Sequence, residues 1–230
     1  MTTQPSAGRT ARLLAIVVSP LVLATTLTVI GTATPDYRPW ADAFSRLASY
    51  DEPYPVLTRA GFVVYGLLVV AGAGPLDGRV LHRPKLLSRF VAGYGAAAAV
   101  AGIAPKDPPR TPHTLTSTVH VASTIVGGAV LLAAMAWVAL RAFDRADRRV
   151  AATALVVTAG AAAVFPFTWG SAIYGIVEWL MLARASLWLA QLALRSVIAD
   201  RGPAPASAPR LGPLATGGTE RPRRAQRLRH

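Results

Sequence analysis

Six apolar segments dominate the chain and leave little else to fold: Leu13–Ala33, Ala60–Leu76, about Phe90 to Ala104, Ser117–Leu140, Val150–Trp169 and Ile176–Ile198. A helix crossing the hydrocarbon core needs about 20 apolar residues, so six crossings consume roughly half of the chain. What remains is short loops and one polar tail, with no room for a soluble domain of ordinary size. With 53% hydrophobic and 15% charged residues, one water-soluble core could not bury these runs. The predicted fold is therefore all-α: a polytopic bundle of six transmembrane helices. Its parts are an N-terminal tail over 1–12, a membrane domain over 13–198 and a basic tail over 199–230. The third span is short, but Lys85 and Arg89 can snorkel and let Leu86–Ser88 enter the membrane.

Charge sets the expected orientation. Lys and Arg number 24 against 11 Asp and Glu, a net charge of +13. Eighteen of the basic residues precede the first span, separate the second from the third, separate the fourth from the fifth, or lie at and beyond Arg195. Only Arg38, Arg46, Arg59, Lys106 and Arg110 fall on the other side, and Arg184 stays inside the sixth span. The positive-inside rule then places both termini in the cytoplasm of a multi-pass cell-membrane protein. The first span is longer than a signal-peptide core and reads as a retained anchor. Beyond Asp200 the chain turns to Pro, Gly, Ala and Arg, a composition that cannot bury enough to fold. That tail has no aromatic residue for stacking on bases, so its expected partner is anionic lipid, not nucleic acid. With no cysteine, disulfides and thiolate chemistry are excluded.

The informative polar residues lie on the outer side. In the first outer loop, Thr34–Pro55, the residues Trp40, Phe44 and Leu47 recur at helical spacing, and Asp42 and Arg46 form an i,i+4 pair. This predicts a short amphipathic helix at the interface, anchored by Tyr37, Tyr50 and Tyr54, and either a plain anchor or a lid. The second outer loop, Pro105 to His113, holds four prolines in eight residues and is stiff. The fourth span then opens with Thr116, Ser117, His120, Ser123, Thr124 and Gly127 at spacings of three and four. The first has Thr25, Thr28 and Thr32. Glu178 sits at the same depth in the sixth span, and Arg59 borders the second. The expectation is a polar cavity opening outward.

Each of these has a plainer reading. Serine and threonine in membrane helices usually bond back to the carbonyl of the preceding turn. Glu178 and Arg59 read as a structural ion pair between two spans. Arg184 lies about 240° around the helix from Glu178 and needs another partner. An ionisable side chain in a span, such as His120, marks a functional site by default, although a neutral histidine tied to a neighbouring helix is as common.

Three functions fit. The first is binding of a lipid headgroup or small polar ligand, with Tyr37, Arg59, His113, His120 and Glu178 as candidates. The second is hydrolysis at the outer leaflet by Ser45, Asp107 and His120 as nucleophile, orienter and base. Zinc on Asp107, His113 and His120 is a weak addition. With Thr111 as the cap of the fourth helix, the two histidines stand about 10 Å apart, so a shared ion needs a later start, near Thr116. No metal or other cofactor is otherwise expected. The third is transport, hinted at by Ser19-Pro20 and Pro166 but lacking a visible repeat. Gly93, Gly95, Gly102 and Gly160 suit close helix packing, in the bundle or between copies.

The order of motifs is similar to one known family. Pro35-Asp36-Tyr37, Phe44-Ser45-Arg46-Leu47, Gly102-Ile103-Ala104-Pro105-Lys106-Asp107, His120 and Gly175-Ile176-Val177-Glu178 follow one another as in the DUF998 membrane proteins of bacteria and archaea. The resemblance covers about residues 13–198 and implies six helices, with Tyr37, Ser45, Leu47, Pro105, Asp107, His120 and Glu178 as motif positions. Ala104 and Trp179 depart from the pattern, which commonly has an aromatic and a basic residue there. The resemblance implies no activity.

Overall fold

The computed structural model describes residues 7–78, 84–108, 111–142, 145–168 and 171–201. The basic tail beyond residue 201 and Arg110 of the second outer loop lie outside the described residues. Six α-helices follow one another: α1 Ala7–Ala33, α2 Pro55–Ala73, α3 Pro84–Ile103, α4 Leu115–Arg141, α5 Arg145–Val164 and α6 Tyr174–Arg201. All six are long and apolar enough to cross a bilayer. Each packs on its neighbours in sequence, and α6 closes back onto α1, so the helices form a ring. Leu13, Ile16, Leu23, Tyr65, Val69, Leu87, Val91, Met135, Trp188 and Leu189 fill its inside. Facing outward are large apolar residues such as Ile125 and Val156, 66% and 71% exposed. That inverted surface suits a lipid solvent.

α1 runs unbroken through Pro20. Proline has no N–H for the carbonyl of Ile16 four residues earlier, and the Ser19 hydroxyl donates to that oxygen instead, at 3.0 Å. Pro166 lies in a 3-10 turn, Phe165–Thr168, after α5 has ended. Neither proline breaks a span.

In lipid the hydrophobic effect does not press helices together, so close van der Waals contact must. α2 and α3 meet backbone to backbone through Gly66, Gly95 and Gly102. A Cβ on Gly66 would lie 2.3 Å from the Gly95 carbonyl oxygen, and one on Gly102 2.7 Å from that of Arg59. Gly93 and Gly160 differ: the first has only Val130 near it, at 3.5 Å, and the second nothing within 4 Å.

One end of the bundle carries the α1–α2, α3–α4 and α5–α6 connections. The α1–α2 connection, residues 34–54, lies as a strap against α1, α2 and α6. The amphipathic helix expected around Trp40–Leu47 is only a 3-10 turn, Phe44–Ala48. Leu47 and Ala48 are fully buried beneath it, while Trp40 lies in a preceding turn and is 54% exposed. The three aromatic and apolar residues thus share no face. Three ion pairs brace the strap among the described residues: Arg46 with Asp42 at 3.2 Å and with Glu52 at 2.6 Å, and Arg38 with Asp42 at 3.7 Å. At the opposite end Arg9 donates to the Pro75 carbonyl, and Asp147 pairs with Arg195.

The glycine contact sets a test. Gly66→Ala should lower stability in detergent by about 1–3 kcal/mol, because a buried methyl has only backbone to displace. Gly128→Ala, with nothing within 4 Å, should leave the thermal midpoint unchanged or raised. Equal behaviour of the two variants in a melting assay contradicts the packing argument.

Candidate functional site

The polar side chains of the strap end come from α2, α4, α6 and two connections. They form three groups: Arg59 and His120 on the end of α3, Asp107 with Thr114 and Ser117, and Glu178 and Lys106 on Ser45. α3 stops at Ile103, leaving the carbonyls of its last turn without helical partners. The His120 Nδ1 faces the oxygens of Ala101 at 2.8 Å and Ala104 at 3.2 Å. Carbonyls only accept, so Nδ1 carries the proton and the ring is the Nδ1–H tautomer. Arg59 supplies the two remaining caps: its Nε donates to Gly102 O at 3.1 Å, and its Nη2 to Ile103 O. The ion pair expected between Arg59 and Glu178 is therefore not formed. The guanidinium is drawn to the helix end, where the dipole is negative.

Asp107 opens the next helix. Its carboxylate accepts from the Thr114 N–H at 2.6 Å and the Thr114 hydroxyl at 2.9 Å. Thr114, not Thr111, is the N-cap of α4, accepting from Ser117 N–H. The Asp107 N–H in turn reaches the Ser117 hydroxyl at 3.3 Å. The bonds from Thr114 hold the Asp107 carboxyl below the usual carboxylate range. α4 starts late, as a zinc site required, yet His113 stays exposed before the cap. Among the described residues no group of three or more His, Asp or Glu is placed to hold a metal.

Glu178, buried in the first turns of α6, accepts from the Phe44 N–H at 2.6 Å and lies against the N–H and hydroxyl of Ser45. Gly175, one turn earlier, lets the strap come this close: a Cβ there would lie 2.3 Å from Pro39 O. The Ile176 N–H, an orphan of the helix start, donates to Trp40 O at 3.1 Å. Phe44 packs edge-on to Trp179, with ring centroids 5.5 Å apart. From the α3–α4 connection, Lys106 donates to the Ser45 hydroxyl at 2.9 Å. Ser49 returns a bond to Lys106 O at 3.1 Å, where the two backbones form an isolated bridge. Burial pulls the Lys106 ammonium below the ordinary lysine value, while the Glu178 carboxylate nearby opposes that. Tyr37, before the turn, buries its hydroxyl beside the Trp179 indole, its one side-chain partner, without a well-formed hydrogen bond. Burial first, then the Glu178 carboxylate, pushes that phenol up.

Ser45, Asp107 and His120 do not form a relay. Ser45 bonds to Lys106, Asp107 to Thr114 and His120 to the end of α3. The α4 stripe is buried only at Ser117, His120 and Gly127. Ser123 and Thr124 bond back to His120 O, and Thr32 to Val29 O. Thr25, Thr28 and Thr32 of α1 are exposed and do not face the bundle. An open groove of about 410 Å³ lies at this end between α1 and α2, lined by Thr25, Val29, Ile30, Leu57, Gly61 and Val64 among others. Arg184, half-buried on α6, has no hydrogen bond or ion pair among the described residues. Lys106 and Ser49 were not among the site residues expected from the sequence. The rigid proline loop that carries Lys106 was the one signal for the former.

The Asp107 cap is testable through pH. Its native carboxyl titrates below the value of about 3.9 expected when unfolded, so its stabilisation is full above that value and fades as pH falls through the native one. The thermal midpoint of the native chain should exceed that of Asp107→Ala by a constant margin above about pH 5 and by less below about pH 4. A margin that stays constant down to pH 3 contradicts the capping role.

No curated protein and no solved structure matches the chain. One family does: the profile described as "Protein of unknown function (DUF998)" matches residues 16–195. That range takes in all six helices, the strap and the turn after α3, and the chain belongs to the DUF998 family.

Proposed function

We propose that the strap end binds a lipid headgroup or a small polar ligand at the outer face of the cell membrane, with the strap as its cover. The observation that carries this reading is the Tyr37 hydroxyl, buried beside the Trp179 indole and the Glu178 carboxylate with no well-formed hydrogen bond. A buried hydroxyl without a bond costs about 1–3 kcal/mol. A ligand ammonium or hydroxyl bridging Tyr37 and Glu178 removes that cost. The strap keeps Leu47 and Ala48 in the core and Phe44 between two aromatic neighbours, so it is a fixed cover whose polar contacts face the ligand. The exposed Trp40, Tyr50 and Tyr54 suit the headgroup level. Arg59, Asp107 and His120 serve here as the frame.

Native mass spectrometry of the purified chain should show a bound adduct that Tyr37→Phe and Glu178→Gln lose at an unchanged thermal midpoint. Retention of the adduct by a folded Tyr37→Phe overturns the reading.

The orientation belongs to the same proposal, supported by the basic residues gathered at the end opposite the strap. The tail arginines there suit anionic cytoplasmic lipid. Because the chain has no cysteine, single cysteines report their side without background. In intact cells, Asp51→Cys should react with a membrane-impermeant maleimide and Arg145→Cys should react only after lysis. The reverse pattern inverts the topology.

A further inference from the structure

We propose that Ser45 and Lys106 form a nucleophile–base dyad that cleaves carboxylic esters presented at the strap end. This rests on the binding reading only in sharing its site. The two side chains come from segments 61 residues apart and meet at 2.9 Å, within reach for proton transfer. Both are held from behind. Ser45 sits in the turn whose preceding N–H is fixed by Glu178, and the backbone of Lys106 is fixed by Ser49. Both side chains are half-buried, so an arriving carbonyl can reach the hydroxyl while most water is excluded. Serine activated by lysine, without histidine, is a known variant of the triad chemistry.

The resting ammonium donates to the serine oxygen. The Ser45 hydroxyl in turn donates to the Glu178 carboxylate at rest; once Lys106 has lost one proton, that hydroxyl turns to donate to the amine lone pair. Lys106 then takes the Ser45 proton as the oxygen bonds to the ester carbonyl carbon. The bond from that carbon to the alcohol oxygen breaks, and Lys106 returns the proton to the departing alkoxide. Water, deprotonated by the same amine, attacks the acyl-serine; the carboxylic acid leaves, and the proton returns to Ser45. Glu178 is the positioning residue. It keeps the turn in register and touches no reacting carbonyl in this scheme.

Charged and titratable groups facing Lys106 are Glu178 from α6, which favours the ammonium, and His120 from α4, with Arg59 of α2 beyond it. Burial outweighs the carboxylate, so the neutral amine is populated at lower pH than for an ordinary lysine of about 10.4.

The test uses the full chain in detergent or nanodiscs and a fluorophosphonate probe, which phosphonylates an activated serine and releases fluoride. The native chain should be labelled at Ser45, faster as pH rises, with a midpoint below the ordinary lysine range. Ser45→Ala should not label. Lys106→Met should label slower by roughly 10²–10⁴, at a preserved thermal midpoint, and lose the pH dependence. Since the chain has no cysteine, Lys106→Cys can be alkylated at that position alone with bromoethylamine, which rebuilds a lysine analogue and should restore labelling. An unlabelled native chain of normal stability, labelling that survives Ser45→Ala, or normal labelling of Lys106→Met overturns the dyad and leaves Lys106 a tether.

Two esters separate the sources of substrate. Turnover of a fluorogenic phospholipid in nanodiscs assigns a lipid, turnover of p-nitrophenyl butyrate a soluble ester, and turnover of neither overturns the cleavage step. The binding reading is decided independently, by the mass adduct in the same preparations.

Discussion

The carbonyl oxygens that end α3 are the constraint on which this end of the molecule is built. A helix that stops near the membrane interface leaves its last carbonyls without N–H partners, and water is scarce where the turn is buried. Ala101, Gly102, Ile103 and Ala104 are all answered by side chains of other helices: His120 from α4 and Arg59 from α2. Two cationic or hydrogen-bonding side chains that might otherwise define a reactive site are spent on backbone. Three helices are fixed to one another by that expenditure, and the α3–α4 connection leaves the bundle in a fixed direction.

Its direction brings Lys106 against the strap. Gly66, Gly95 and Gly102 already set α2 and α3 at backbone contact, so the connection has little freedom to drift. From the other side α6 presents Glu178, with Gly175 thinning the helix where the strap crosses it. The strap is thus clamped between two supports that are themselves rigid. Its own ion pairs, Arg46 with Asp42 and Glu52, are partly exposed and worth little each; they shape the loop more than they stabilise the fold.

The bundle was legible because membrane helices announce themselves by length and hydropathy alone, and all six lie where the apolar runs lie. The boundaries moved for local reasons. α3 begins at Pro84, several residues before the apolar run, because Lys85 and Arg89 are exposed at the bundle end and cost the helix nothing. The strap was misread because helical spacing of Trp40, Phe44 and Leu47 is also met by chance in a loop whose Leu47 alone plugs the core. The depth of each polar residue along its helix was legible, but pairing was not. Depth cannot tell that Arg59 turns toward α3 and away from Glu178, since opposite charge competes with orphan carbonyls that no residue letter displays. The threonines of α1 failed for a related reason: a polar stripe on one helix shows a direction only relative to neighbours whose positions are unknown.

What separates a frame from a site is hydrogen-bonding capacity left over. Asp107, His120 and Arg59 were the attractive candidates by residue type, yet each has its geometry committed to a helix end, and moving it would expose backbone groups. Their fixed positions argue for stability at this end of the bundle. Tyr37 and Ser45 were candidates too, and Lys106 was not; the first has a buried hydroxyl beside Trp179 with no well-formed hydrogen bond. The other two bond to each other, and Ser45 also to Glu178, through atoms that can exchange a proton. In a medium that penalises every unmet polar group, capacity held in reserve is itself costly, and its cost is recovered only when something binds or reacts. The side chains whose hydrogen-bonding capacity the framework leaves over thus lie between the strap and the turn after α3.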